Sequence, residues 1–276
     1  MPAASFKELM GQLKEDTNIE VAAPDKKKLA DHYNFTEGWY DALLNSDKAI
    51  RTNTQGPQIH FDPAEKRQIV EIGVYEGASS CFWSDFYLDH EESSLISIDP
   101  FTGSEEHLKN PENYAGLSRL ERTARENIAK SKNCGKVEII KGLSQHVFTD
   151  LDARFGREPW IDVLYIDGAH DSVSVARDVV LYVPMVKPGG IVFFDDYAHP
   201  DVKRAVDMGL NAFASFEFAM FTGWQLVGKV AEVANTHGDA SWPRTDGPSY
   251  GSRDDDVHYS SLDIRSRGLD KAKLRV

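Results

Sequence analysis

The sequence predicts an α/β fold, a doubly wound and mostly parallel sheet of seven strands with helices on both faces. Two observations support this fold class. From residue 67 to about residue 230, short apolar segments alternate with longer helical patterns, which is typical of βαβ units in a parallel sheet. The segment IVFF at 191–194 has no polar alternation, so it fits a strand that helices cover on both faces.

Seven segments are predicted as strands, in chain order. They are QIVEIGV at 68–74, SLISID at 94–99, KVEIIKG at 136–142, IDVLYID at 161–167, GIVFFDD at 190–196, FEFAMF at 216–221 and WQLVGKVA at 224–231. The pattern at 113–132 predicts a helix, and Gly135 is expected to close it, because glycine is common just past helix ends.

The chain is expected to have three regions. Residues 1–66 are predicted as an N-terminal helical segment and linker that covers the functional site, and residues 67–234 as the α/β core. Residues 235–276 form a polar extension rich in Gly, Pro, Ser and Asp. A disordered tail, a lid and a subunit contact all remain open for this extension.

The composition limits which partners and which cellular compartment we expect for the protein. A net charge of −13 argues against nucleic acid or an anionic membrane as the main partner, since both favour clustered Lys and Arg. A small acceptor molecule fits better, and a homo-oligomer is also considered. The chain has two cysteines and no apolar segment near the ~20 residues of a membrane span. A cytoplasmic location is therefore expected.

The first predicted strand runs into EIGVYEGASS at 71–80, which combines an acid, two glycines and small residues that open a helix. Backbone N–H groups at such a helix start face an incoming polar group. Glu71, Gly73, Gly77 and Ser79 are therefore candidate ligand-binding residues. The motif lacks the three glycines of G-x-G-x-x-G, which disfavours a dinucleotide. The alternative is that the glycines only let the helix pack close to the strand.

Two further strand ends carry candidate binding residues. Asp99 and Pro100 end the second strand, where an acid can accept hydrogen bonds from both hydroxyls of a ribose. A surface turn is the alternative for Asp99. Gly142, Leu143 and Ser144 follow the third strand, where the edge of a nucleobase could lie on apolar backbone.

The fourth and fifth strands end in acids. Asp167 ends one, with His170 close behind, and Asp195 and Asp196 end the other. Consecutive strands usually lie near each other, so three carboxylates are expected to converge. A shared cation would relieve their repulsion, and oxygen ligands favour Mg²⁺, Mn²⁺ or Ca²⁺ over zinc. The alternative is that the acids cap the next helix or lie in water.

The motifs VEIGVYEGASS, SIDPF, VLYIDGAHD, KPGGIVFFDDY and VKRAV together resemble the class I S-adenosylmethionine-dependent methyltransferases over about 68–230. The later motifs are similar to the metal-dependent O-methyltransferases that modify sugar hydroxyls. Catechol-type enzymes carry Asp then Asn where this chain has Asp195 and Asp196. The resemblance implies a Rossmann-like sheet. It implies binding of S-adenosyl-L-methionine by Glu71, Gly73, Gly77, Ser79, Asp99, Pro100, Gly142, Ser144 and Asp167, and of Mg²⁺ (or Mn²⁺ or Ca²⁺) by Asp167, Asp195 and Asp196.

The function expected from these features is methyl transfer from S-adenosylmethionine to a hydroxyl of a small molecule, a sugar or natural product, assisted by a divalent metal. Asp167 and His170 are the predicted catalytic residues, and His199 is a third candidate base. Two alternatives remain open at this point. One is a metal-independent methyltransferase in which His170 is the base, and the other is a non-catalytic module that binds S-adenosylmethionine.

Overall fold

The computed structural model describes residues 32–35, 43, 62, 64–103, 111–213, 216–222 and 224–231. Most of the predicted N-terminal segment, and all of the extension at 235–276, therefore lie outside the described residues. None of the helices described is both long and apolar enough to cross a lipid bilayer.

All seven predicted segments form strands of one sheet. The strands are β1 (Gln68–Ile72), β2 (Ser94–Asp99), β3 (Val137–Lys141), β4 (Ile161–Ile166), β5 (Val186–Phe194), β6 (Phe216–Phe221) and β7 (Leu226–Val230). Their order is β3-β2-β1-β4-β5-β7-β6. The first five are mutually parallel, whereas β7 runs antiparallel to both of its neighbours. The mostly parallel, Rossmann-like sheet is confirmed.

Within the described residues, five helices connect the strands, together with two short 3₁₀ turns at Cys134–Lys136 and Val183–Met185. The helices are α1 (Ala78–Tyr87), α2 (Pro111–Ile128), α3 (Ser144–Phe155), α4 (Ser172–Tyr182) and α5 (Pro200–Phe213). The predicted end of α2 was wrong. The helix stops at Ile128, and Gly135 lies in a separate 3₁₀ turn that leads into β3.

Each face of the sheet packs into its own hydrophobic core. Successive strand residues point to opposite faces, so Tyr165 and Phe193 join Trp83 of α1 on one side. Leu164 and Val192 face the opposite core, which α3, α4 and α5 complete. Both faces are buried, which is why β4 and β5 lack the polar alternation of a one-sided sheet.

The direction of the strand order reverses between β1 and β4, because β2 and β3 lie to one side of β1 and β5 lies beyond β4. In open α/β sheets, such a reversal opens a crevice at the carboxyl ends of the strands, where ligands bind. Gly73 follows β1 at this point and Asp167 follows β4. The fold therefore brings the glycine turn and the first of the predicted acids to the same place.

Candidate active site

A cavity of about 260 Å³ lies at the carboxyl ends of β1, β2 and β4 and beside the first turns of α3 and α4. It therefore occupies the crevice expected for this sheet order. The predicted site residues that line it are Gly73, Ser79, Asp99, Pro100, Ser144, Asp167, His170 and Asp196.

The turn after β1 approaches the end of β4 very closely. Gly73 has a φ of +93°, and a Cβ atom there would lie 1.8 Å from the backbone oxygen of Asp167. Only glycine both adopts this φ without strain and lacks the Cβ atom that would clash with Asp167. Tyr75, two residues on, also has a positive φ of 48°. The glycine at 73 thus lets the cavity wall pass directly against the strand end that carries Asp167.

Asp99 holds this same turn from the end of β2. Its Oδ2 accepts hydrogen bonds from the backbone N–H groups of Val74, at 2.7 Å, and Tyr75, at 3.0 Å. Its Oδ1 accepts from the N–H of Phe101 at 2.6 Å. Each carboxylate oxygen has two lone pairs, so Oδ1 retains capacity for a ligand hydroxyl. Sequence reasoning missed the turn-holding role, because the three donors are backbone groups.

Two acids and a histidine form the acid–histidine cluster at one end of the cavity. One potential ligand atom from each of Asp167, His170 and Asp196 lies within 4.8 Å of the others. The Nε2 of His170 is 2.7 Å from Oδ2 of Asp196. Burial raises the pKa of Asp167 well above its usual range, and the nearby carboxylates of Asp195 and Asp196 raise it further. The cluster therefore favours a bound cation or a retained proton.

Comparison with known proteins identifies the domain. A family model described as a methyltransferase domain matches residues 70–197, which include the strands and loops that form the cavity. Uncharacterized protein R132 of Acanthamoeba polyphaga mimivirus is 31% identical over 184 residues, covering 62% of this chain and 74% of that protein. The chain belongs to the methyltransferase family that this model describes.

Two solved structures are similar to the methyltransferase at lower identity. One is the O-methyltransferase TomG of Streptomyces achromogenes, which is involved in tomaymycin synthesis and was solved with its cofactor. It is 17% identical, with a TM-score of 0.48, and the match covers 82% of this chain and 98% of TomG. The calicheamicin methyltransferase CalS11 is 14% identical, with a TM-score of 0.49, and the match covers 81% and 90% of the two chains.

Asp195 of the methyltransferase, which the sequence predicted as a metal ligand, is not one of the three residues of the acid–histidine cluster, although the Tyr165 hydroxyl that it binds also contacts Asp167. Its Oδ2 accepts a hydrogen bond from the hydroxyl of Tyr165, and its Oδ1 accepts from the backbone N–H of Asp196 at 2.8 Å. Consecutive residues at a strand end point to opposite sides, and Asp196 also adopts a φ of +50°. His170 takes the place in the cluster that the sequence assigned to Asp195.

Glu71 lies behind the cavity wall rather than in it. The side chain is fully buried, and it accepts hydrogen bonds from the hydroxyls of Ser80 and Ser97. Burial raises its pKa to about 7, although the hydroxyls of Ser79, Ser80 and Ser97 oppose the rise. The prediction that Glu71 contacts the cofactor is not supported by this position. The carboxyl instead fixes Ser80 of α1 against Ser97 of β2.

Gly77 and Gly142 also lie outside the residues that line the cavity. A Cβ atom on Gly77 would lie 3.2 Å from the backbone oxygen of Ala124, so this glycine allows α1 to pack closely against α2. A Cβ atom on Gly142 would lie 2.9 Å from Val147. The packing alternative considered for the glycine motif therefore describes Gly77, whereas Gly73 shapes the cavity.

Asp178 is a cavity residue that sequence reasoning missed. It lies on α4, is 4% exposed, and lines the cavity together with Ser144. Its Oδ1 accepts a hydrogen bond from Oγ of Ser144 at 2.5 Å. Burial raises its pKa to about 6. An acid inside a helical pattern normally predicts a solvated helix face, so no sequence pattern indicated that Asp178 would be buried.

The described part of the N-terminal segment reaches the cavity at Phe35, which lines it. The neighbouring backbone is held by Asn127 of α2. The Oδ1 of Asn127 accepts from the N–H of Asn34 at 2.9 Å, and its Nδ2 donates to the carbonyl of Asn34 at 3.2 Å. The same Nδ2 donates to the carbonyl of Glu76 at 2.9 Å. Asn127 therefore links this segment to the turn after β1.

Proposed function

We propose that this methyltransferase transfers a methyl group from its cofactor, S-adenosylmethionine, to a hydroxyl oxygen of a small acceptor, such as a sugar or natural product. We propose also that the acid–histidine cluster holds a divalent cation beside the acceptor. The observation that carries the proposal is the convergence of Asp167, His170 and Asp196 at the cavity. A cavity of about 260 Å³ and a net charge of −13 support a small acceptor rather than a polyanion.

The cluster fits a divalent cation. Two carboxylates supply the hard oxygen ligands that Mg²⁺ and Mn²⁺ prefer, and an imidazole nitrogen favours Mn²⁺ of the two. A cation would also offset the repulsion that raises the pKa of Asp167. Asp167, His170 and Asp196 are therefore the proposed ligands. A divalent cation bound there lowers the pKa of an acceptor hydroxyl and fixes the direction of its oxygen.

The protein's own residues align the reactants and accept a proton. Methyl transfer from a sulfonium to an oxygen proceeds in line, so it depends on orientation. Gly73 and the turn held by Asp99 shape the cofactor side, and Asp167 lies where that side meets the cluster. This position makes Asp167 the proposed proton acceptor.

One contact favours a second candidate mechanism without a metal. The 2.7 Å approach of His170 Nε2 to Asp196 Oδ2 is the arrangement in which a carboxylate orients an imidazole as general base. In this mechanism His170 takes the proton of the acceptor, and Asp196 stabilises the imidazolium that forms.

Metal binding and turnover after chelation distinguish the two mechanisms. We expect chelation to abolish methyl transfer across a panel of hydroxyl acceptors, and Mn²⁺ to restore it at a lower concentration than Mg²⁺. Calorimetric titration with Mn²⁺ should show a site that Asp196→Asn removes, because Asp196 lies in the cluster.

Asp195→Asn is the matched control for this experiment. It makes the same change one residue earlier, but Asp195 faces Tyr165, so the Mn²⁺ site should survive. Equal loss of Mn²⁺ binding in both variants would contradict the proposed ligand set. Full turnover in excess chelator would support the metal-independent mechanism instead.

A further inference from the structure

A buried tyrosine hydroxyl lies between the acids that end β4 and β5. Tyr165 is 1% exposed, and its ring contacts Trp83 and Phe193 in the core on the α1 side of the sheet. Its hydroxyl bonds Oδ2 of Asp195 and lies 3.2 Å from Oδ2 of Asp167. The hydroxyl therefore contacts one proposed metal ligand and one acid outside the acid–histidine cluster, and the proposed reaction gives it no role.

The register of the two strands explains this position. Tyr165 pairs with Phe193 across the parallel strands. The pairing continues to the strand ends, because the backbone N–H of Asp195 donates to the carbonyl of Ile166 at 2.9 Å. Alternate residues of a strand share a face, so Asp167 lies on the same face as Tyr165. By the same rule, Asp195 lies on the face of Phe193. The two acids are therefore neighbours, and the phenol reaches both of them from two residues earlier on β4.

The three residues of the acid–histidine cluster differ in what holds them. His170 and Asp196 contact each other, at 2.7 Å between Nε2 and Oδ2. For the carboxylate of Asp167, the hydroxyl of Tyr165 is the one hydrogen-bond donor within reach among the residues that the structure describes. The terminal torsion of an aspartate is only weakly restricted, so a carboxylate without a partner samples several orientations. The orientation of Asp167 therefore depends on Tyr165.

The two contacts of the hydroxyl correspond to two different effects. A tyrosine hydroxyl keeps its hydrogen at neutral pH and donates it to one acceptor at a time, so it can orient Asp167 or offset the charge of Asp195. Asp195 has a second donor, the backbone N–H of Asp196 at 2.8 Å. Asp167 has no second donor in the described part of the chain. Loss of the hydroxyl should therefore affect Asp167 more than Asp195.

We infer that Tyr165 is a positioning residue of the proposed metal site, whose hydroxyl orients the carboxylate of Asp167 toward the cation. The inference rests on the proposed function, because it takes Asp167, His170 and Asp196 as the ligands. Hydrogen-bond partners of metal ligands fix the ligand geometry, and their loss typically lowers metal affinity about 10- to 100-fold. Tyr165 does not line the cavity, so this role is separate from contact with the reactants.

The test measures the Mn²⁺ affinity of the full chain by calorimetry in wild type and in Tyr165→Phe, which keeps the buried ring and removes only the hydroxyl. We expect the variant to bind Mn²⁺ about 10- to 100-fold more weakly. Tyr182→Phe is the matched control, because it removes the hydroxyl of another buried tyrosine, one that bonds the carbonyl of Ser144. The control should bind Mn²⁺ with the wild-type affinity.

The double variant Tyr165→Phe/Asp195→Asn separates the two effects of the hydroxyl. If the hydroxyl orients Asp167, the double variant should bind Mn²⁺ as weakly as Tyr165→Phe does. Recovery of the wild-type affinity would assign the loss to the uncompensated carboxylate of Asp195 and would overturn the inference. The double variant also removes that buried charge, so it supplies the test if thermal unfolding shows that Tyr165→Phe alone is not folded at the assay temperature.

The outcomes distinguish this inference from the proposed function. If Asp196→Asn abolishes Mn²⁺ binding but Tyr165→Phe keeps the wild-type affinity, the metal site stands and Tyr165 has no part in it. If Tyr165→Phe and Tyr182→Phe weaken Mn²⁺ binding equally, the loss is a general effect of a missing buried hydroxyl, and the inference is overturned. If wild type binds no Mn²⁺, the proposed metal site fails and the inference fails with it.

Discussion

Glu71 couples the stability of the methyltransferase to pH. The pKa of this buried carboxyl is raised from 4.5 to about 7, so the folded state binds its proton more tightly than the unfolded chain does. The resulting stabilisation is fully present below about pH 4.5 and is lost as the pH rises through 7. The shift corresponds to about 3 kcal/mol.

Glu71→Gln tests this coupling, because glutamine keeps an acceptor for Ser80 and Ser97 without a titrating group. We expect the unfolding free energy of wild type to fall by about 3 kcal/mol more than that of the variant between pH 4.5 and 8.5. Urea unfolding at several pH values measures the difference. Parallel pH curves for the two proteins would show that Glu71 does not carry the effect.

The acids at the strand ends show what a sequence specifies at the scale of single residues. Asp167 and Asp196 were expected to converge because consecutive strands of a parallel sheet neighbour each other. The division of roles between Asp195 and Asp196 depends on a φ of +50° at Asp196. Aspartate adopts a positive φ more often than most residues other than glycine, but the sequence does not show which of the two adjacent acids does so. His170 was named as a base, and its position in the cluster follows from the loop after β4.

At the scale of elements, α2 carries Asn127, which holds two separate pieces of backbone at the cavity. Its side chain bonds both backbone groups of Asn34 and the carbonyl of Glu76, and it is fully buried. Phe35, the next residue after Asn34, lines the cavity. Asn127 thus positions part of the cofactor wall without lining the cavity.

Asn127→Ala should lower the affinity for S-adenosylhomocysteine about tenfold, because the backbone at Asn34 and Glu76 loses its partner and ~1 to 3 kcal/mol is typical for such a loss. Calorimetry measures the affinity, and chemical unfolding measures the accompanying loss of stability. Asn133→Ala is the matched control, since Asn133 bonds Ser84 and Asp89 and does not line the cavity. If Asn127→Ala loses stability but keeps the wild-type affinity for S-adenosylhomocysteine, Asn127 stabilises the fold and does not position the cavity wall.

The helices and strands were predicted to different extents. The strands were predictable because unbroken apolar segments between glycine or acidic residues have few other uses in a globular chain. The end of α2 was not predictable, because the polar sequence after Ile128 remains compatible with a helix. Asp178 was missed for a related reason, since only the packing of α3 against α4 buries it beside Ser144.

At the scale of the whole molecule, the cavity is formed by elements from most of the described chain, from Phe35 to Asp196. A ligand that binds the folded state alone raises the unfolding free energy by about 2.7 kcal/mol at a free concentration of one hundred times Kd. S-adenosylhomocysteine should therefore raise the midpoint of thermal unfolding by several degrees. Asp99→Ala should reduce that rise at equal concentration, because Asp99 holds the turn after β1. If S-adenosylhomocysteine raises the unfolding midpoint equally in wild type and in Asp99→Ala, Asp99 does not contribute to ligand binding.

The antiparallel strand β7 has a consequence for where this chain accepts insertions. Because β6 runs with the parallel strands, the chain reverses after Phe221 and returns through Gln225. A parallel connection would require a dozen or more residues, whereas this hairpin requires only a few. The reversal lies at the same edge of the sheet as the end of β5 and exposes Trp224 there. Insertions in a short surface turn are well tolerated, so this hairpin can lengthen while the contact between Gly73 and Asp167 stays unaltered.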